Sequence, residues 1–587
     1  MFKLLKYLKL REWAYFLISL IFVLTQVWLD LELPDYMSEI TVLVETEGSA
    51  MRDIWSAGGM MLLCSLGSLA ASIAVCYLAS KIAARFSKRL RSAMFEKVES
   101  FSLEEINAFS TASLITRSTN DVMQVQLLIV MSMQVVVKAP AMAVWAITKI
   151  AGKAWQWSLA TGVAVAAISV MMAISMALTF PKFRKVQWLQ DALNHAAREN
   201  LTGIRVVRAY NAEAYQEKKF TKANTELLEN QLFANRTMTL MSPFMTLIMN
   251  GLNMSIYWIG AVLISSVAID GAAAIAQRVN IFADMIVFMA YAMQVIMSFI
   301  MIVIVFIIAP RAIVAAKRIN EVLETEPKIL DGKGAEKTEL VGELEFKNVS
   351  FAYPGGSGNV LSNISFTAHK GETVAFIGST GSGKTTLVNL IPRLYDATEG
   401  AVLVDGIDVR DYKLEELYSK LSYVTQKAVM FSGTVEENIA FGENADLNKL
   451  SEALGIAQAE EFIAELEEKE KARVSQGGTN FSGGQKQRMS IARALCRSSE
   501  ILIFDDTFSA LDFKTDRALR DALKEKTQDT TKLIVAQRIG TIMSADKIIV
   551  LDEGRQVGTG THRELLDTCE VYRQIALSQL SEEELAK

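Results

Sequence analysis

Apolar residues gather into six long runs in the first half of the chain and into short alternating blocks after residue 343. The runs cover 13–33, 56–79, 127–148, 157–180, 244–269 and 283–308, and each is long enough as a helix to cross about 30 Å of hydrocarbon. The first run exceeds the apolar core of a cleavable signal and lacks a small-residue cleavage site, so it is expected to remain as a span. An even number of spans puts both ends on one side. Lys3, Lys6, Lys9 and Arg11, the stretches 81–97 and 182–219, and Arg311, Lys317 and Arg318 are basic, whereas the loop 35–53 sets Asp35, Glu39, Glu45, Glu47 and Asp53 against Arg52. Excess Lys and Arg marks the cytosolic side. The acidic loop is therefore expected outside. The gaps after the second and fourth runs keep apolar residues at helical spacing over 81–100 and 186–230, which predicts helices continuing into the cytosol.

Residues 325–342 are polar and rich in breakers, as a linker should be. Beyond them, alternating strands (343–349, 372–378) and helix-like runs predict an α/β domain with a helical tail. The expected division is a six-span helical transmembrane domain over 1–324, the linker, and an α/β phosphate-loop domain over 343–587.

Composition agrees with a membrane half fused to a soluble half. Apolar residues make up 51 % of the chain, too oily for the roughly four soluble domains that its length would allow. Of 26 methionines, 23 precede residue 320. With 65 acidic and 60 basic residues the net charge is −5, which excludes a binder of nucleic acid through a basic surface. The four cysteines lack metal-type or disulfide-type spacing, and only His195, His369 and His562 are histidines.

The strongest local signal runs Gly378, Ser379, Thr380, Gly381, Ser382, Gly383, Lys384, Thr385, Thr386, after an apolar strand and before a helix expected to open at Leu387. Such a loop wraps phosphates with backbone N–H groups; Lys384 neutralises charge and Thr385 can ligate Mg2+. Further on, the strand 501–505 ends in Asp505, suited to hold Mg2+ through water. Between them, Ser482, Gly483, Gly484 and Gln485 open a second helix whose first amides are free of bulky side chains. One nucleotide does not need two such cradles in one domain. The second should serve a nucleotide held by another copy.

These residues resemble the ATP-binding cassette (ABC) family, in the exporter type that fuses six membrane helices to one cassette. The resemblance covers nearly the whole chain. It implies that Ser482 to Gln485 form the signature motif facing the partner's ATP, that Tyr353 stacks on adenine, that Gln426 touches Mg2+, and that Ser509 and Asp512 belong to the D-loop. It further implies coupling segments at 116–121 and 203–210, the second docking on a partner's cassette. Two positions depart from the family. Asp506 stands where a Glu acts on the attacking water, and one methylene less retracts the carboxylate by roughly 1.5 Å. Gln537 replaces the switch histidine; an amide still donates a hydrogen bond but cannot become cationic. This is the pattern of the degenerate half of a heterodimeric exporter, whose partner subunit supplies the Glu and His.

Within the spans, Gln26, Gln134, Asn250, Asn253 and Gln294 are polar and Met285, Met289, Met293, Met297 and Met301 form a stripe, suited either to a cavity or to helix packing. No strongly charged site is evident there, which favours hydrophobic or amphipathic drugs and lipids as cargo. A homodimeric lipid or peptide exporter with slow turnover, a nucleotide-sensing membrane regulator and an importer on the same fold remain open. Low basicity with fused architecture points to a bacterial plasma membrane.

Overall fold

The computed structural model describes all residues except 1, 47, 152, 268–270, 335–337, 357, 443–445 and 582–587. Glu47 of the acidic loop, Ile269 at the end of the fifth apolar run and parts of the linker and tail thus lie outside the described residues. The chain divides into two compact units: Met1–Lys97 with Ser113–Glu324, and Val98–Ala112 with Thr325–Lys587.

Among the described residues, six helices are long and apolar enough to cross a membrane: Leu10–Glu45, Met51–Glu99, Thr111–Ala151, Trp155–Thr202, Glu213–Ser265 and Ala273–Ile302. The 53 residues of Glu213–Ser265 make a rod about 80 Å long, far more than the hydrocarbon needs. The second and fourth helices likewise run on past their apolar parts. The expected helix over 186–230 is interrupted at Gly203 and around Tyr210, with the short helix Ile204–Ala209 between.

The third spanning helix is irregular. Its bonding changes to the i→i+5 pattern over Arg117–Asp121 and again over Ser132–Val136. Lys138 follows the second break, close to the middle of the apolar run, and its Nζ lies 3.3 Å from Asp30 of the first helix. Asp30 also accepts from Ser68 Oγ of the second helix, and Gln294 Nε2 of the sixth donates to the Asp30 carbonyl at 3.2 Å. Farther along, Lys149 reaches Glu32 at 3.2 Å and Asp35 at 2.6 Å, and Tyr291 Oη donates to Asp35 at 2.7 Å. The expectation of spans without a charged site is therefore overturned. A window average dilutes Asp30 and Lys138 among apolar neighbours, and only the packing of different helices brings them together.

The polar and methionine positions separate by environment. Gln134 donates to Cys76 Sγ at 3.3 Å and Asn250 is exposed, while Asn253 Oδ1 and Gln294 Oε1 are buried without a hydrogen-bond partner. Met285 is buried, and a Cβ on Gly260 would come 2.4 Å from its sulfur, so this end of the stripe is helix packing. Met297 and Met301 at the other end are exposed.

The second unit holds a four-stranded antiparallel sheet and a six-stranded sheet. In the larger sheet, 547–552, 373–378, 531–535, 501–505 and 421–424 run parallel in that order, with 555–560 antiparallel at the edge. Continuous apolar strands such as Ile501–Asp505, buried along its whole length, are what a sheet covered on both faces requires. The short helix Leu103–Phe109 also belongs here. Ser102 and Glu105 close a reciprocal capping box at its start, and Asn107 Nδ2 donates to Tyr395 Oη at 3.2 Å. The segment 117–121 instead lies in the membrane unit, where Arg117 pairs with Glu321 at 2.9 Å and Asp121 with Arg318 at 3.3 Å.

Breaking the mid-span pair from one side leaves a charge without its partner in a poorly solvated place. Asp30→Leu is expected to lower stability by about 2 kcal/mol, and Asp30→Leu with Lys138→Met to recover most of it, in thermal unfolding of the detergent-solubilised protein. A single variant as stable as the double would show that the pair contributes nothing.

Candidate active site

The parallel strands end on one edge, and the loops leaving them carry every charged group of the site, as open α/β sheets dispose their ligand sites. The phosphate loop follows strand Thr373–Gly378. Its helix starts at Lys384, a turn earlier than expected, with Gly383 as N-cap at φ +93°. A Cβ there would meet Leu361 Cδ2 at 2.7 Å, so the position needs glycine twice over. Lys384 Nζ folds back to the carbonyls of Gly378 and Ser379, both at 2.8 Å, and to Ser382 Oγ at 3.3 Å. Burial lowers the Lys384 ammonium below its ordinary range, and the charges of Asp506 and Asp505 oppose that. Thr380 and Gly381 form the exposed crown of the loop, and Gly381 again has positive φ.

Strand Ile501–Asp505 lies between 531–535 and 421–424. Thr385 Oγ1 therefore donates to Asp505 Oδ1 at 3.0 Å, and Tyr423 Oη lies 3.2 Å from Asp505 Oδ2 and 2.9 Å from Asn389 Oδ1. Burial raises the Asp505 carboxyl above the usual range; the bonds from Thr385 and Tyr423 pull it down, Asp506 adds to the rise, and Lys384 opposes it. Tyr423 carries no motif signal. Its place follows from sheet order.

Asp506, in the left-handed region at φ +49° and 8 % exposed, is where the two loop glutamines meet. Its Oδ2 accepts from Gln426 Nε2 at 3.1 Å and from Gln537 Nε2 at 2.8 Å. A carboxylate oxygen accepts only, which fixes the nitrogen side of both amides toward it. Gln426 is thus joined to Asp506 rather than to the Thr385–Asp505 pair. Ser509 Oγ donates back to the Asp506 carbonyl at 2.8 Å, Asp512 caps the next helix through Thr515 N at 3.0 Å, and Arg538 donates to the carbonyls of Ser509 and Leu511 at 3.2 and 3.4 Å. Arg538 was not singled out by the sequence.

Tyr353 Oη lies 2.9 Å from Thr386 Oγ1, and its ring meets Tyr395 edge-on with centroids 5.3 Å apart. At the other helix start, Ser482 Oγ accepts from Gln485 N at 3.2 Å while Gln485 Oε1 accepts from Ser482 N at 2.8 Å. A Cβ on Gly483 would meet nothing within 4 Å, whereas one on Gly484 would come 3.4 Å from the Ala510 carbonyl, so the turn is open at Gly483 alone of its two glycines. The histidines lie elsewhere: His562 is buried with Nδ1 2.6 Å from Tyr572 Oη, His369 sits 3.3 Å from Glu343, and His195 is exposed on the fourth spanning helix.

The raised Asp505 carboxyl has a stability consequence. A carboxylate whose folded pKa is raised costs stability once pH climbs above its unfolded value, and the full cost is present above the folded value. Asp505→Asn should therefore raise the melting temperature of the nucleotide-free protein at pH 7 by about 2 °C while abolishing the further rise on adding Mg2+ with ATP. Differential scanning fluorimetry reads both; a lowered nucleotide-free melting temperature would contradict the assignment.

The chain is similar to known proteins over both of its halves. The ABC transporter transmembrane region matches residues 16–271 and the ABC transporter domain residues 361–509. An uncharacterized ABC transporter ATP-binding protein of Mycobacterium tuberculosis is 41 % identical over 530 residues, 89 % of this chain and 87 % of its own. An ATP-dependent lipid A-core flippase of Pseudomonas aeruginosa is 32 % identical over 480 residues, 81 % and 77 % of the two chains. The solved structure of a bacterial Atm1-family ABC exporter with ATP bound superposes with a TM-score of 0.78 at 22 % identity, covering 97 % of this chain and 98 % of that one. With six spanning helices joined to a nucleotide-binding cassette, the chain belongs to the ABC transporter family, as an integral multi-pass membrane protein whose cassette is cytosolic.

Proposed function

We propose that this chain is one half of a heterodimeric ABC exporter: its own site binds ATP with Mg2+ and turns it over slowly, and its signature turn completes the hydrolysing site of a second subunit. The carrying observation is Asp506, a short carboxylate with one oxygen committed to two amides, from Gln426 and Gln537. A general base must reach the attacking water; a carboxylate one methylene short and tethered at one oxygen to two loops is held back from it, and a displacement near 1 Å can cost about a hundredfold in rate. By contrast, Lys384, Thr385 and Asp505, which this reading assigns to phosphate and metal binding, lie around one loop.

Thr385 and Asp505 offer adjacent hard oxygens, the donor chemistry that Mg2+ takes together with water and phosphate. The ion would supply charge neutralisation at the phosphates. Lys384 would leave its carbonyls for the β- and γ-phosphates, Tyr353 would stack on adenine, and Gln537 would donate to the γ-phosphate. Ser482, Gly483, Gly484 and Gln485 would do the same for ATP on the partner subunit, with Ser509 and Asp512 crossing between cassettes. Two ATP molecules would then close the cassettes, turn the membrane cavity outward, and hydrolysis at the partner's site would reset it.

The cargo in this reading is a hydrophobic or amphipathic drug or lipid. Relatives named as lipid A-core flippases support a lipid-like class, and the exposed, adaptable Met297 and Met301 suit varied apolar surfaces. The lipid bilayer is the source of such cargo.

ATPase assays decide the division of labour. The chain purified alone should show negligible turnover, Asp506→Glu with Gln537→His should raise it by about a hundredfold, and a co-expressed second subunit should restore both turnover and dye transport into vesicles. Brisk turnover by the unmodified chain would contradict the proposal.

A further inference from the structure

The loop that carries Gln537 is gripped from a place no motif marks. The last described helix, Glu570–Leu577, is anchored by fully buried Tyr572 and Ala576. Just past it the chain turns, with Gln579 N donating to the Ala576 carbonyl at 3.1 Å. From there the Gln579 side chain uses both ends of its amide on the switch loop. Nε2 donates to the Gln537 carbonyl at 2.8 Å, and Oε1 accepts from Ile539 N at 2.9 Å. One side chain thus brackets Gln537, Arg538 and Ile539, holding Arg538 extended. On the far side of the same bracket, Gln537 reaches Asp506 and Arg538 reaches the carbonyls of Ser509 and Leu511.

A cavity of about 720 Å³, lined in part by Ser509, Gln537, Arg538, Gln579 and Leu580, lies against this bracket. Water from it could take over the two backbone groups if the amide were removed. The fold would then lose little, because neither group would be left buried and unpaired. The loop would lose its fixed geometry.

We propose that Gln579 is a positioning residue for the nucleotide site: it holds the 537–539 loop so that Gln537 meets the γ-phosphate, and the preference for ATP over ADP depends on this contact from the end of the cassette. The inference rests on the reading that the chain's own site binds ATP. ADP lacks the γ-phosphate and gains nothing from a well-placed Gln537. A structural role alone would affect the two nucleotides equally.

The test is binding of fluorescent ATP and ADP analogues, with Mg2+, to the full chain in lipid nanodiscs. Gln579→Ala removes both bonds. Gln579→Glu keeps the acceptor for Ile539 N but sets a carboxylate oxygen against the Gln537 carbonyl, and Gln579→Met preserves volume without either bond. All three are expected to lower the ATP-over-ADP preference by about tenfold, with ADP affinity changed less than about twofold and the melting temperature held. An unchanged preference in variants of a protein that binds ATP would overturn this inference alone. Equal weakening of both nucleotides, with or without a lower melting temperature, would overturn it in favour of a purely structural role. Failure of the unmodified chain to bind ATP at all would overturn both this inference and the reading beneath it.

Discussion

One carboxylate oxygen organises the catalytic edge of the cassette. Asp506 Oδ2 takes amide donors from two different loops, Gln426 after strand 421–424 and Gln537 after strand 531–535. The strands bearing these loops flank strand 501–505, so the convergence is a product of sheet order. The Asp506 N–H is itself bonded to the Val535 carbonyl at 3.0 Å, and its own carbonyl accepts from Ser509. Both backbone groups and one side-chain oxygen are therefore committed, and the segments carrying Ser509, Gln426 and Gln537 share one anchor.

A second constraint acts in the membrane unit, where charges must find one another because little else will solvate them. Asp30, Glu32 and Asp35 on the first helix meet Lys138 and Lys149 on the third, with Ser68, Tyr291 and Gln294 contributing from two more helices. Such pairs tie four helices together at defined heights. Lys138 stands immediately beyond a break in helical bonding, the kind of irregularity that proteins retain where function needs it.

The sequence revealed the parts of this protein whose signal is local. The six apolar runs, the loop from Gly378 to Thr386, the strand ending at Asp505 and the capped turn at Ser482 all depend on neighbours within a few residues. Asp506 and Gln537 stand out only as departures from the pattern that the family resemblance supplies. What escaped notice depends on long-range packing. Tyr423 reaches Asp505 only because two strands far apart in sequence are adjacent, Gln579 finds the switch loop across 40 residues, and Lys138 needs Asp30 from another helix. The packing of Leu103–Phe109 belongs with these, since nothing local ties Asn107 to Tyr395.

The proposed heterodimer requires that this chain's own site retain ATP rather than spend it. It is tested most directly by loading the proposed complex of this chain and a second subunit with ATP labelled on both the α- and γ-phosphates, then quenching after many turnovers. Nucleotide recovered from this chain's site, located by photo-crosslinking to residues near Tyr353, should carry both labels in equal amounts. Recovery of the α-label without the γ-label would show that the site hydrolyses its ATP and would contradict the account.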